Sequence, residues 1–129
     1  MKNKKTVKFE NKIIKPAFKD RRGEIFDILE EGKVGHIGMV TFARGVERGH
    51  HYHLKSTQYS YVISGNLELT ISDIDGKNKK VYKLKGGSFN VIPPKKVHTY
   101  KALSKSVMLD LTTLSRNNNG YEKDTIRVS

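Results

Sequence analysis

Apolar and polar residues alternate one for one along most of this chain, and a period of two leaves β-strands as its repeating element. Leu67, Leu69 and Ile71 alternate with Glu68, Thr70 and Ser72, and Val107, Leu109 and Leu111 with Met108, Asp110 and Thr112. Phe89 and Val91 alternate, less cleanly, with Ser88, Asn90 and Ile92. Turn signals fall between these runs: Arg22-Gly23, Glu31-Gly32, Arg44-Gly45, Ser64-Gly65-Asn66, Asp75 to Asn78, Lys85-Gly86-Gly87 and Pro93-Pro94. The pattern predicts about nine short strands, over 12–18, 24–29, 36–43, 49–55, 58–64, 66–72, 79–85, 88–92 and 106–112. No helical stretch beyond a turn or two is expected. Many short strands at near-regular spacing close into a sandwich or small barrel. The predicted fold class is therefore all-β.

At 129 residues the chain has room for one core and one domain. We expect a flexible basic leader over 1–8, a barrel over 9–114, and a tail over 115–129. In that tail the polar run Ser115 to Gly120 is expected to be mobile, and Thr125 to Val128 to return as a terminal strand. Absence of cysteine removes disulfides, thiolate ligands and thiol nucleophiles, and suits a reducing cytosol. No apolar run approaches the roughly 20 residues needed to cross a bilayer, and no signal peptide is expected, so a soluble, cytoplasmic protein is anticipated. Net charge is +12, which favours anionic partners. Much of the excess lies in Lys2, Lys4, Lys5, Lys8, Lys12 and Lys15, which read as a solvated leader. Aromatics interleaved with these bases, or a DNA-reading motif, would point to nucleic acid. Neither is present, and no nucleic-acid partner is expected.

Chemistry concentrates between Gly45 and Gly65, where the frame is G-x5-H-x-H-x4-Q-x6-G. On a strand, His51 and His53 project from one face, and neutral imidazole is the commonest protein metal ligand. A further histidine, His98, follows downstream. The slot where a carboxylate would be expected holds the neutral amide of Gln58.

This frame resembles the first motif of the cupin superfamily in every spacing, with Gln58 in place of glutamate. The second cupin motif is met in part. Gly87, Pro93 and His98 fall in register, while Lys95 replaces a glycine and Ala102 an asparagine. The resemblance covers roughly residues 20–114 and implies a single-domain jelly-roll β-barrel, commonly a homodimer, with its site at the barrel mouth. It also implies His51, His53 and His98 as metal ligands, with Gln58 as the fourth. Two finer resemblances concern carbohydrates. Asp20-Arg-Arg-Gly23 followed by Arg48-Gly-His-His51-Tyr-His53 resembles the nucleotide-sugar 3,4-ketoisomerases and 3,5-epimerases, which implies His51 as catalytic base and Arg48 as a substrate-binding residue. The set His51, His53, Gln58 and His98 also resembles that of the pectin-degradation cupins that linearise unsaturated uronates.

Two chemistries follow. Three imidazoles and an amide oxygen suit a divalent cofactor such as zinc, iron, manganese or nickel. Without the carboxylate such a site is more electropositive and suited to an anionic substrate. The metal-free alternative uses His51 to remove a proton beside a ketone, with His53 or a tyrosine as donor. Tyr100 shares a face with His98 if that segment is extended, whereas Tyr59 and Tyr61 read as interlayer packing. Asp110 either faces the barrel and orients a ligand histidine or faces solvent. His50, His36, Lys95 and Lys96 read as structural or surface residues. The expected function is a metal-binding cupin acting on an anionic sugar derivative by isomerisation, epimerisation or tautomerisation. An iron-dependent dioxygenase and a non-catalytic sugar-binding module are the rivals.

Overall fold

Two antiparallel sheets face each other in the computed structural model, which describes residues 7–128. The expected leader lies mostly outside the described residues, which include only Val7 and Lys8 of it. One sheet runs β1 (Glu10–Ile13), β9 (Ser88–Ile92), β6 (Gln58–Ser64), β11 (Ser106–Thr112) and β4 (His36–Phe42) in spatial order. The other runs β12 (Thr125–Arg127), β5 (Glu47–His53), β10 (Val97–Ala102), β7 (Asn66–Ser72) and β8 (Lys80–Lys85). A separate hairpin joins β2 (Phe18–Asp20) to β3 (Gly23–Ile25). The single helix among the described residues, α1 (Gly120–Asp124), is too short to cross a membrane.

Alternation decides what goes inside. Leu67, Leu69 and Ile71 of β7 meet Val62 of β6, Met108 of β11 and Phe42 of β4 in one buried cluster with Leu84, Ile92, Tyr100 and Ala102. Side chains withdrawn from water this fully each contribute about 1.5–3 kcal/mol. The inner face of β11 is Met108, Asp110 and Thr112, so a carboxylate enters the barrel.

Where expectation and fold differ, backbone chemistry gives the reason. The run predicted over 12–18 is broken by Pro16, which has no N–H for a ladder, and becomes β1 and β2. The run predicted over 24–29 shrinks to β3, and 26–30 is irregular. β10 was not among the predicted strands. Its inward residues are His98, Tyr100 and Ala102, so the apolar period that signals a strand is missing.

Candidate active site

A bulge between β5 and β10 builds the site. His98 pairs with His51 and Tyr100 with Arg48, yet Thr99 pairs with Gly49, leaving His50 as the extra residue. Gly49 and His50 take φ of 103° and 58°. A Cβ on Gly49 would lie 2.6 Å from the His98 carbonyl oxygen, so this glycine is required by the close approach of β10. Arg48 and His51, three apart, would face opposite sides of an unbroken strand. The extra residue brings both to the cavity. His50 points away, its Nδ1 3.3 Å from Thr99 Oγ1.

The three expected histidines come together. Ring centroids are 4.7 Å apart for His51 and His98, 5.1 Å for His51 and His53, and 5.3 Å for His53 and His98. His98 Nδ1 lies 3.1 Å from the Lys96 carbonyl and donates to it, which leaves a lone pair on Nε2. That nitrogen is buried and has no partner. The His51 ring makes no hydrogen bond among the described residues and lines the cavity. Burial, then repulsion from His53, Arg127 and Arg116, pulls its pKa down to about 4. Burial, then His51 and His53, take His98 down to about 3. Both rings are neutral at pH 7.

Gln58 begins a one-way chain of hydrogen bonds into the core. Asn90 Nδ2 donates to Asn11 Oδ1 at 3.1 Å, so its carbonyl is left for the Tyr100 hydroxyl at 2.9 Å. Tyr100 has one proton, so it accepts from Ser60, 2.9 Å away. Ser60 in turn accepts from Gln58 Nε2 at 3.0 Å. The Gln58 carbonyl therefore faces His53 Nε2, at 3.1 Å. Tyr100 does share a face with His98, but its hydroxyl is committed to this chain and burial drives the phenol upward. That geometry makes Tyr100 a support rather than a proton donor. Tyr59 stacks on Phe89 outside the cavity. Lys95 keeps the conformation of the motif's glycine, with φ 67°, at a cost of about 1 kcal/mol. Lys96 pairs with Asp73.

The tail supplies the rest of the wall. A 3-10 turn at Asn117–Asn119 leads into α1, and β12 pairs with β5 so that Arg127 lies opposite His51 and Thr125 opposite His53. The Asp124 carboxylate accepts from the backbone N–H groups of Lys55 at 2.8 Å and Ser56 at 3.3 Å, fixing the tail to the loop after β5. It also stands 3.7 Å from His53 Nδ1, with Thr125 Oγ1 3.4 Å from the same nitrogen. Arg116, Tyr121 and Arg127 reach the cavity. Arg116 lies 4.5 Å above the Tyr121 ring, and that ring is 6.3 Å from His51. Arg127 pairs with Glu122, whereas Arg48, 5.7 Å over the Phe42 ring, makes no ion pair among the described residues. These tail residues were not anticipated. The run Ser115 to Gly120 has no apolar period, and Asn118 and Asn119 occupy left-handed conformations that asparagine tolerates.

The cavity holds about 400 Å³, enough for a ligand the size of a sugar ring. The donor nitrogens of His51, His53 and His98 lie within 4.8 Å of one another. With an unpartnered nitrogen on His98 and the Gln58 amide oxygen beside His53, the set fits a divalent ion in donor type and number.

The sequence profile described as polysaccharide biosynthesis C-terminal domain matches residues 18–126. No curated protein matches the sequence closely enough to count as a relative. Among solved structures the fold is similar to a mutant of the 3,4-ketoisomerase from Thermoanaerobacterium thermosaccharolyticum in complex with TDP-4-keto-6-deoxyglucose. That match has 19% identity and a TM-score of 0.75, over 93% of this chain and 87% of the other. It is also similar to a 3,4-ketoisomerase from Helicobacter canadensis, at 20% identity and TM-score 0.78, over 93% and 90% of the two chains. A dTDP-4-dehydrorhamnose 3,5-epimerase from Sulfolobus tokodaii matches at 19% identity and TM-score 0.71, over 87% and 72%. At these identities the likenesses show that the chain shares the fold of these proteins.

Proposed function

Because the chain belongs to the polysaccharide biosynthesis C-terminal domain family, we propose that it isomerises or epimerises a nucleotide-linked 4-keto sugar through an enediol. One observation carries this reading: His51 is neutral, free of protein hydrogen bonds and open to a cavity walled by Arg48, Arg116 and Arg127. Arginine suits a diphosphate, and Arg48, without an acidic partner among the described residues, is the first candidate to bind it.

The proton steps balance. The His51 lone pair takes the proton from the carbon beside the ketone, and the ketone oxygen gains a proton from Tyr121. The enediol then loses its other hydroxyl proton to the Tyr121 oxygen, while His51 protonates the former carbonyl carbon. The carbonyl has moved to the neighbouring carbon, each oxygen staying where it was, and both side chains are restored. Epimerisation would instead require an acid on the face opposite His51 to return a proton to that carbon. His53, held by Gln58 and Thr125, packs beside His51 and opposes its protonation. Incubation with TDP-4-keto-6-deoxyglucose in deuterated water is expected to place deuterium beside the ketone and yield a new isomer, both visible by NMR. Exchange no faster than in buffer would remove this reading. Such a substrate would place the protein in the cytoplasm.

The unpartnered His98 Nε2 favours a second reading, in which His51 gives its lone pair to a divalent ion shared with His53, His98 and Gln58 and is not the base. When bound the ion would polarise the ketone as a Lewis acid. Zinc, iron, manganese and nickel all accept this donor set. Gln58→Glu adds a full charge beside the ion and should tighten zinc binding by about tenfold or more. Unchanged affinity in a competitive chelator titration would take Gln58 out of the ligand set.

We propose a second copy of the chain as partner. β4 is a seven-residue edge strand without a charged residue, with Ile37 66% and Met39 67% exposed. Among the described residues no backbone hydrogen bond reaches its outer edge. Long uncharged edges invite strand pairing, and pairing one antiparallel edge with its own copy closes a two-fold dimer. Light scattering should give twice the 14.7 kDa chain mass, and Met39→Lys should shift it to monomer. A monomeric wild type would end the proposal.

A further inference from the structure

Asp110 has been given no part in the chemistry above, yet it is the carboxylate that enters the barrel. It is 7% exposed, on the inner face of β11, and opens on the same cavity as His51 and His98. Arg116 Nη2 donates to its Oδ2 at 2.8 Å. Its Oδ1 is buried and has no hydrogen-bond partner. An ionised carboxylate oxygen stripped of water is costly unless a donor reaches it. The groups nearest in charge are Arg116 on the tail, Tyr100 on β10 and His36 on β4. Tyr100 spends its proton on the chain leading to Asn90, as described above. No histidine hydrogen-bonds to Asp110, so it does not orient a ligand ring.

Asp110 also stands apart from the imidazole cluster, since the metal-spaced group among the described residues is His51, His53 and His98 without it. The carboxylate missing at Gln58 is therefore not restored from β11. What remains is a pair of buried acceptors without partners among the described residues, Asp110 Oδ1 and His98 Nε2, on residues that line one cavity from opposite sheets. Acceptors without donors call for a ligand that carries O–H groups. The diphosphate bridge of a nucleotide sugar has none to offer at neutral pH and would be repelled by the carboxylate. The sugar ring of the proposed substrate has several.

We infer that Asp110 Oδ1 accepts a hydrogen bond from a ring hydroxyl of the sugar, and that this contact selects which hexose the pocket takes. Arg116 is the positioning residue: it holds Oδ2 and thereby turns Oδ1 toward the ligand. The inference rests on the nucleotide-sugar reading for its substrate class but needs binding alone, not turnover.

The test is calorimetric binding of TDP, TDP-glucose and its 2-deoxy, 3-deoxy and 4-deoxy analogues to wild type, Asp110→Ala and Asp110→Asn. In wild type one deoxy analogue should bind about 10- to 100-fold more weakly than TDP-glucose, as expected for a hydrogen bond to a charged group. In Asp110→Ala that difference should disappear, while TDP alone binds as in wild type. Asp110→Asn keeps the shape, guards against a misfolded alanine variant, and should discriminate by only about 2- to 10-fold, as a neutral pair does. Equal binding of all analogues to wild type overturns the inference. So does discrimination that survives in both variants, an equal loss of TDP affinity, or no binding of any TDP-sugar. Discrimination without turnover leaves the inference standing and removes the isomerase reading; turnover without discrimination does the reverse.

Discussion

Replacing His51 with glutamine is expected to slow turnover of a TDP-4-keto sugar about 10²- to 10⁴-fold, the range a positioned general base contributes. The affinity for TDP should change little, because His51 is assigned to the carbon and the arginines to the phosphates. Loss of deuterium exchange beside the ketone is the direct reading. Exchange at the wild-type rate would end the role of His51 as base. Repeating wild-type turnover after chelation separates the two offices of the ring: activity that survives assigns the loss to the base, activity that vanishes assigns it to a metal ligand.

The pH profile sharpens the same result. A base must be unprotonated, so kcat/KM falls as pH drops through the pKa of free His51. An ordinary imidazole would show this near 6.5. Here burial and the neighbouring His53, Arg127 and Arg116 hold the ring at about 4. The profile should therefore stay flat from pH 8 down to about 5.5, within the range where the fold survives. A bound diphosphate brings negative charge to the same arginines, so the limb in kcat should lie at higher pH than the limb in kcat/KM. A limb in kcat/KM near 6.5 would mean that the cavity does not depress His51.

The barrel and its three histidines were legible because their signals are local. Alternation gave β6, β7, β9 and β11 nearly to the residue, and one-residue spacing put His51 and His53 on one face. What escaped depends on contacts distant in sequence. The presence of Arg48 in the cavity follows from an extra residue in β5 that only its pairing with β10 reveals. The role given to Tyr100 rested on which face it occupies. That face was right, but its hydroxyl is claimed by Ser60 and Asn90, two strands away. Arg116, Tyr121 and Arg127 come from a run that reads as a solvated tail until Asp124 anchors it to Lys55 and Ser56. Parity set Asp110 on the face of Met108 but left open whether that face was barrel or solvent; its burial and its unpartnered oxygen are properties of the assembled cavity.

Acidification is expected to destabilise the fold well before its carboxylates titrate. Above pH 6.5 His51 and His98 are neutral in folded and unfolded chains alike, and their contribution is fully present. As pH falls below 6.5 the unfolded chain binds protons that the folded one refuses, down to about 4 for His51 and about 3 for His98. Stability must then fall with pH. For His98, 1% exposed, the total over that window is on the order of 4 kcal/mol. His51 adds less because it keeps some contact with water. That is a large part of the roughly 5–15 kcal/mol that holds a domain of this kind together. Asp20, Asp73 and Glu122, whose pKa values arginine and lysine partners lower, lose their contributions only in the more acidic carboxylate range. The interval from pH 6.5 to 4.5 therefore belongs to the histidines. Urea unfolding with chelator present should show a steady fall across it, and His98→Asn should flatten the slope. A wild-type curve flat over that interval would mean that the folded chain protonates these rings as readily as the unfolded one, and that the cavity floor is not dry.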